Sequence, residues 1–355
     1  MINNKEYLWN LSELKNIKNN GLKVFSCFSC GGGSSMGYKL AGFDVIGNNE
    51  IDTKINNIYV KNLNPKYTFN FDIRDMVKIE IPKELYNIDI LDGSPPCSAF
   101  SMVGLREKVW GTEKKFKEGQ KLQRLDDLFF PFLDFAERIK SKVIVAENVK
   151  GIIQKRAQGY VNKILNRLEN IGYETQMFLL NSALMGVPQT RERVFFISRR
   201  KDLKLSRINL DFKESPILYG EIRDKENFKP IKKETQTYYL WKNRKPQDNS
   251  LKDTIVRLGG KPRCYSEKYL KDEKVFSCLT SRFNGIIYNI FGRPCNKDII
   301  TVQTFPQDYD FCGYNVEYLC GMSVPPIMMK KIAEQIYLQL FKDKEDSKSV
   351  NDKTS

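Results

Sequence analysis

Cys97 is the side chain in this sequence best placed to attack another molecule. It follows at once on an apolar run and a stiff turn in DILDGSPPCSAFS, residues 89–101. Pro95 and Pro96 restrict that turn and hold the thiol at the lip of the preceding element, where a loop residue reaches substrate. A free thiol is most often a buried packing residue, but the turn-forming, polar flanks disfavour that here. In VIVAENVKG, residues 143–151, Glu147-Asn148 ends another apolar run. A glutamate there can serve as an acid toward a ring nitrogen, and equally as a helix cap or a solvated carboxylate. In VPQTRERVFFI, residues 187–197, Arg191 and Arg193 alternate onto one face of an extended segment. Two guanidiniums on one face can orient a phosphate or a carbonyl oxygen; a charged strand edge is the plainer alternative.

A second kind of chemistry is suggested by FSCGGGSSMGYKLAGF, residues 28–43. Glycines there permit a tight turn and a close approach of ligand to backbone, ahead of a helix N-terminus with unpaired N–H groups. Glu50 ends the next apolar run and can accept hydrogen bonds from a ribose, and Asp72 ends what reads as a third strand. A glycine-rich turn alone is as easily structural. Two acidic strand ends after it point to a nucleoside-containing cofactor at the carboxyl edge of a parallel sheet.

Composition narrows the options. There is no histidine among the 355 residues, which removes Ser-His-Asp and Cys-His pairs and any zinc site with an imidazole ligand. The eight cysteines read as free thiols. Cys27 and Cys30 make a C-x-x-C with no second pair, so no metal is implied. No run nears the eighteen or so apolar residues of a membrane span, and MINNKEYLWNLSEL lacks the apolar core of a secretory signal; the expectation is a soluble cytoplasmic protein. A net charge of +15 suits a polyanionic partner, although a Lys-, Asn- and Ile-rich composition carries charge for other reasons.

The elements that must position these residues are legible in outline. Residues 24–28, 45–47, 88–91, 143–146, 175–180 and 194–197 are short and apolar or β-branched, with helical patterns between several of them, as at 122–139 and 161–171. Strands alternating with helices predict an α/β fold with a doubly wound, mostly parallel, Rossmann-like sheet. After Arg200 the alternation fades. Residues 201–300 carry +9 of the net charge together with Tyr238, Tyr239, Trp241, Tyr265, Tyr269 and Tyr288, and read as a second, smaller, irregular domain. The expected division is 1–200 completed by 316–341, then 201–315, with 342–355 a disordered tail.

In this order, Pro95-Pro96-Cys97 with Phe100-Ser101, Glu147-Asn148-Val149, and Gln189-x-Arg191-x-Arg193 resemble the cytosine-5 DNA methyltransferase family, of bacterial or phage type. Gln303-Thr304-Phe305-Pro306, preceded by Arg293, adds a further match, so the likeness runs from about residue 23 to 335. The resemblance implies Cys97 as nucleophile toward carbon 6 of a flipped-out cytosine, Glu147 on ring nitrogen 3 and the exocyclic amine, and Arg191 and Arg193 on the carbonyl, the Cys97 loop and nearby phosphate. It implies S-adenosylmethionine as cofactor, held by Phe28, Gly32, Gly33, Glu50, Ile51, Asp72, Ile73, Pro96 and Ser323. Residues 98–120 fall where the family has a mobile loop over DNA, making Ser98, Ser101, Arg106 and Lys108 the expected DNA contacts. Double-stranded DNA is the implied partner, read by the 201–315 domain, in the nucleoid. A monomer is expected, and a companion restriction endonuclease is left open.

Three positions depart from the family pattern. Cys30 stands at a glycine position of the turn, Ser98 follows the nucleophile where glutamine is common, and Met322 replaces an asparagine before Ser323. Other readings remain beside the main one: a tRNA cytosine-5 methyltransferase, a catalytically inactive DNA-binding protein on the same fold, and a nicotinamide oxidoreductase. The last leaves Pro-Pro-Cys and Gln-x-Arg-x-Arg unexplained.

Overall fold

The computed structural model describes residues 5–96, 128–261 and 267–342. Cys97, Ser98, Ser101, Arg106 and Lys108, and the tail beyond 342, lie outside the described residues. The described chain forms two compact units. One, the sheet unit, takes residues 12–181, 192–212 and 328–342; the other takes 5–11, 182–191 and 213–327. No helix among the described residues is long and apolar enough to cross a membrane.

The sheet unit is built on β1 (Lys23–Cys27), β2 (Asp44–Asn49), β3 (Tyr67–Phe69), β4 (Ile90–Gly93), β5 (Val143–Val149), β6 (Tyr173–Asn181) and β8 (Glu192–Arg200), the short β7 (Gln189–Thr190) falling in the second unit. Their order is β3-β2-β1-β4-β5-β8-β6. Pairing is parallel from β3 through β5, and β8 runs antiparallel to both β5 and β6. This is the Rossmann-like, mostly parallel α/β sheet expected. The strand order reverses between β1 and β4, which opens a crevice at their carboxyl ends.

Helices α1 (Gly33–Leu40), α2 (Thr53–Leu63), α3 (Phe129–Ile139) and α4 (Gln158–Asn170) connect these strands. In α3, FFPFLDFAERI turns Phe129, Phe132, Leu133, Phe135, Ala136 and Ile139 inward at helical spacing, with Pro131 tolerated in the first turn. They join Phe25, Leu91, Ile144 and Phe196 in one apolar core. Phe132 packs directly on Gly93: a Cβ there would lie 2.5 Å from the ring. The turn that leads to Cys97 therefore starts from a strand end where any side chain would have to displace the Phe132 ring. Asp72 is not a strand end, as the sequence had suggested. β3 stops at Phe69, and Asp72 caps a short 3₁₀ turn, Ile73–Asp75.

The second unit is irregular. It holds the short helices α5 (Tyr219–Ile222), α6 (Gln236–Lys242), α7 (Leu251–Arg257), α8 (Asn296–Val302) and α9 (Val316–Met322). Its strands pair two by two: β9 (Lys229–Pro230) with β13 (Gly292–Arg293), β10 (Lys268–Leu270) with β12 (Gly285–Ile287), and β11 (Phe276–Ser277) with β7. A small core of Leu240, Leu251, Ile255, Tyr269, Ile286 and Phe291 holds α6 and α7 to these ribbons. α10 (Pro326–Ile336), most of it in the sheet unit, is followed by a π-helical segment, Tyr337–Phe341.

Candidate active site

At the carboxyl end of β1 the chain makes a turn in which Phe28, Cys30 and Gly32 all have positive φ, at 53°, 47° and 78°. Alternating left-handed residues fold the backbone tightly before α1 begins at Gly33. Gly32 needs its missing side chain for packing as well as for φ, because a Cβ would meet Leu63 at 2.4 Å and the Tyr59 ring at 3.1 Å. Glu50, just past β2, is buried and ties the turn down. One carboxylate oxygen accepts the Cys30 N–H at 2.9 Å and the other the Asp52 N–H at 2.9 Å. Burial pushes the Glu50 carboxyl up from its ordinary range, and these backbone donors oppose the shift.

The same edge is continued by β3. Asn49 donates its side-chain amide to the carbonyls of Phe69 and Phe71, and Asn70 donates to the Glu50 carbonyl at 2.7 Å. Asp72 accepts the Arg74 N–H and pairs with its guanidinium, both at 2.9 Å, while Ile73 is buried beside it. Phe28 is half-buried, its ring centroid 6.3 Å from that of Phe132. Phe28, Gly32, Gly33, Glu50, Ile51, Asp72 and Ile73 thus share one edge of the sheet, at the crevice beside β1 and β4.

Pro95 and Pro96 extend from β4 toward the same edge. Asn148 donates to the Pro95 carbonyl at 3.2 Å, which pins the turn to the end of β5. Glu147, one residue earlier, is buried, and Arg193 on the antiparallel β8 brings its Nε to 2.8 Å from Glu147 Oε1. The contact is ionic without hydrogen-bond geometry, so Oε1 has no hydrogen-bond donor among the described residues. A buried carboxylate oxygen in that state carries a cost unless a donor is supplied.

Sequence reasoning overlooked Asp92. It lies in the apolar run of β4, accepts Ser26 Oγ at 2.8 Å and Tyr38 Oη at 3.4 Å, and is almost wholly buried. Burial raises its carboxyl to about 7, and the Glu147 charge adds to the shift. The only available signal was an acidic residue inside an otherwise apolar strand.

Arg191 and Arg193 do not share a face. β7 ends at Thr190 in the second unit, where it pairs with β11, and β8 begins at Glu192 in the sheet unit. Arg191 is buried in the second unit and donates through Nη1 to the carbonyls of Leu279, at 2.8 Å, and Gly321, at 3.2 Å. Gln189 beside it accepts the Leu279 N–H and donates to the Val302 carbonyl and to Gln303 Oε1. Gln303 in turn donates to the Ser323 carbonyl at 2.7 Å. The expected cofactor residue Ser323 therefore lies in the second unit, its hydroxyl donating to Leu319 at 2.9 Å. Met322 is exposed at the end of α9. Arg293 donates to Asn284 Oδ1 at 3.1 Å.

Residues 22–338 match the family model described as C-5 cytosine-specific DNA methylase. The chain is 28% identical to the type II methyltransferase M.FnuDI of Fusobacterium nucleatum, covering 94% of this chain and 99% of that protein. It is 26% identical to the type II methyltransferase M.NgoPII of Neisseria gonorrhoeae, covering 89% and 96%. Among solved structures, a putative DNA modification methyltransferase encoded within an E. coli prophage superposes with a TM-score of 0.63 at 21% identity, covering 90% of this chain and 99% of that one. The last likeness speaks to the fold alone. The family match spans every strand and motif described above, so the chain belongs to the C-5 cytosine-specific DNA methylase family, enzymes that methylate carbon 5 of cytosine in DNA and for which S-adenosylmethionine is the implied methyl donor.

Proposed function

We propose that this chain methylates a cytosine flipped out of a specific duplex sequence, through a temporary covalent bond between Cys97 and the base. Carbon 5 of cytosine is too weak a nucleophile to accept a methyl group unaided. Addition of the Cys97 thiolate to carbon 6 turns the ring into an enamine whose electron density is raised at carbon 5. When bound, S-adenosylmethionine would supply the methyl group, which carbon 5 takes as the sulfonium–methyl bond breaks and the neutral thioether departs. Water then takes the proton from carbon 5, the carbon 5–carbon 6 double bond re-forms and the thiolate leaves. Neither step needs an imidazole, in keeping with a chain that has no histidine.

The observation that carries this reading is the buried Glu147 Oε1 with no donor of its own beside the Arg193 guanidinium. A cytosine presents its exocyclic amine to just such an acceptor, and Glu147 passes a proton to ring nitrogen 3 as the thiolate adds to carbon 6. That proton neutralises the charge that the thiolate brings into the ring, and the carboxylate left behind keeps its bond to the exocyclic amine. Arg193 holds the carboxylate in place, and Arg191 would steady the segments around Leu279 and Gly321 within the second unit. The base must leave the duplex to reach any such site, at a cost of roughly a few kcal/mol.

The edge formed by β1, β2 and β3 suits the methyl donor. The half-buried Phe28 ring offers a face for adenine, and the buried Glu50 carboxylate has spare lone pairs for a ribose diol. Asp72 and Ile73 would read the adenine edge and Gly32 and Gly33 the methionine portion, and Ile51, Pro96 and Ser323 are the remaining proposed cofactor residues. The basic second unit, with residues 98–120 that include Ser98, Ser101, Arg106 and Lys108, would grip the DNA. The type II designation of M.FnuDI and M.NgoPII supports a companion restriction endonuclease, and a monomer acting on one strand at a time is the working form. An oligonucleotide carrying 5-fluorocytosine in the recognition site tests the mechanism. With cofactor present it should leave protein and DNA joined at position 97, and Cys97→Ala should abolish both adduct and methyl transfer. A folded enzyme that methylates its site but never forms the adduct would overturn the mechanism.

A further inference from the structure

In the second unit, two arginines meet carboxylates and a third does not. Arg223 is neutralised by Asp272 at 2.6 Å, and Arg257 by Asp248 at 2.7 Å. Arg244 has no carboxylate partner among the described residues. Its guanidinium carbon lies instead 3.7 Å from the Trp241 ring centroid and 4.6 Å from that of Tyr288. Both rings are themselves held. Trp241 donates its indole N–H to the Ile287 carbonyl at 3.1 Å, stacks on Tyr238 and packs against Phe291. Tyr288 packs edge-on to Tyr269, whose hydroxyl is fixed against Thr254 at 2.9 Å.

This sandwich keeps the charge and fixes the plane of the group. Within it, Nη1 spends one hydrogen on the Trp241 carbonyl at 2.7 Å, and Nε is sealed from solvent without a partner. Nη2 makes no hydrogen bond to any described residue. What is left is a planar group with free donors on Nη1 and Nη2, half-buried and in contact with two rings that displace water from it. Removing water from a cation without giving it a counter-charge is unfavourable, and burial lowers the Arg244 pKa accordingly. Such an arrangement makes physical sense when an external acceptor completes it.

We propose that Arg244 is a sequence-reading residue, whose guanidinium edge donates to the O6 and N7 of one guanine in the recognition site. The two acceptors of a guanine edge match a planar two-donor fork. A phosphate would accept equally well from a mobile lysine and would not require the plane to be fixed. The inference rests on the reading above that the second unit meets the DNA.

The test is sequence-resolved mapping of 5-methylcytosine in DNA from cells expressing the full chain, wild type or Arg244→Lys. Initial rates on duplexes changed one base pair at a time, at two or more salt concentrations, complete it. Lysine keeps the charge and the stacking stem but loses the fork. The expected result is that the wild type methylates one defined sequence. In Arg244→Lys, discrimination at a single G·C pair should fall by about tenfold to a hundredfold, with other positions and the salt dependence unchanged. Tyr288→Leu, which frees one face of the guanidinium, should lose discrimination at the same pair by a smaller factor, and serves if the lysine variant does not fold. An unchanged recognition sequence in these variants would overturn the inference, as would a uniform loss of affinity with a shallower salt slope, the mark of a phosphate contact. A wild-type protein that methylates no cytosine at all would instead overturn the underlying function.

Discussion

Arg193 Nε stands 2.8 Å from Glu147 Oε1 across the antiparallel pair of β5 and β8, both side chains nearly out of solvent. The acidic group that would face the cytosine is thus held by a cation from the neighbouring strand. Glu147→Gln keeps the shape but has no proton to pass to ring nitrogen 3. It is expected to lower the single-turnover rate of methyl transfer by about a hundredfold to a thousandfold. Arg193→Lys keeps a charge without the side-on Nε approach and should show a smaller loss. Rapid-quench assays with saturating DNA and cofactor measure both, and a wild-type rate in Glu147→Gln would remove the acid from the mechanism.

Asp92 predicts a pH dependence of stability. Its carboxyl sits at about 7 in the folded chain, against an ordinary value of 3.8. Between those values the folded state holds a proton that the unfolded state has released, so stability falls as pH rises through that window. Asp92→Asn removes the titration and leaves groups that can bond Ser26 and Tyr38. Its melting temperature should vary less from about pH 4 to pH 7 and exceed that of the wild type above about pH 7. Parallel melting curves in wild type and variant across this range would contradict the assignment.

Gly93 and Phe132 predict a steric coupling. An alanine methyl at position 93 would lie 2.5 Å from the ring, inside van der Waals contact. Gly93→Ala should destabilise the fold by about 1–3 kcal/mol and depress activity, since the turn to Cys97 starts there. Phe132→Leu in the same chain makes room and should restore part of both losses. A double-mutant cycle by chemical denaturation measures the coupling, which is expected to be clearly non-additive.

Cys30 occupies a left-handed conformation, φ 47°, that costs an L-residue about 1–2 kcal/mol. Glycine would remove that strain and lose some of the gain to its greater freedom when unfolded. Cys30→Gly is therefore expected to stabilise the chain by about 0.5–1 kcal/mol. Cofactor affinity should stay within about twofold, because the bond from the residue 30 N–H to Glu50 is a backbone one. Thermal melts and calorimetric titration with S-adenosylmethionine check the two halves separately.

Local pattern was enough for much of the sheet. Short β-branched runs, helical periods between them, and glycine or proline turns at their ends are properties of neighbouring residues, and they announced β1, β2, β4, β5, β6 and β8 and the turn after β1. Asp72 reads as a strand end from the residues before it, but its side chain accepts the Arg74 N–H, a turn signal as local as the strand pattern it competes with. Asp92 escaped notice because nothing nearby in the chain tells that Ser26 and Tyr38, more than fifty residues away, close over it.

By itself the sequence determined the fold class, the family motifs and which side chains carry chemical potential, because each of these is written in residue type and short spacing. Only the tertiary structure decided their surroundings. Arg191 and Arg193 are two residues apart and read as one face, yet the chain passes from one unit to the other between Arg191 and Glu192. Arg191 then meets carbonyls from Leu279 and Gly321, and Arg193 meets Glu147. Alternation along a strand says which side a residue takes only while the strand continues. Burial, and the partners that burial makes necessary, come from segments far away along the chain, 88 and 130 residues off in the case of Arg191.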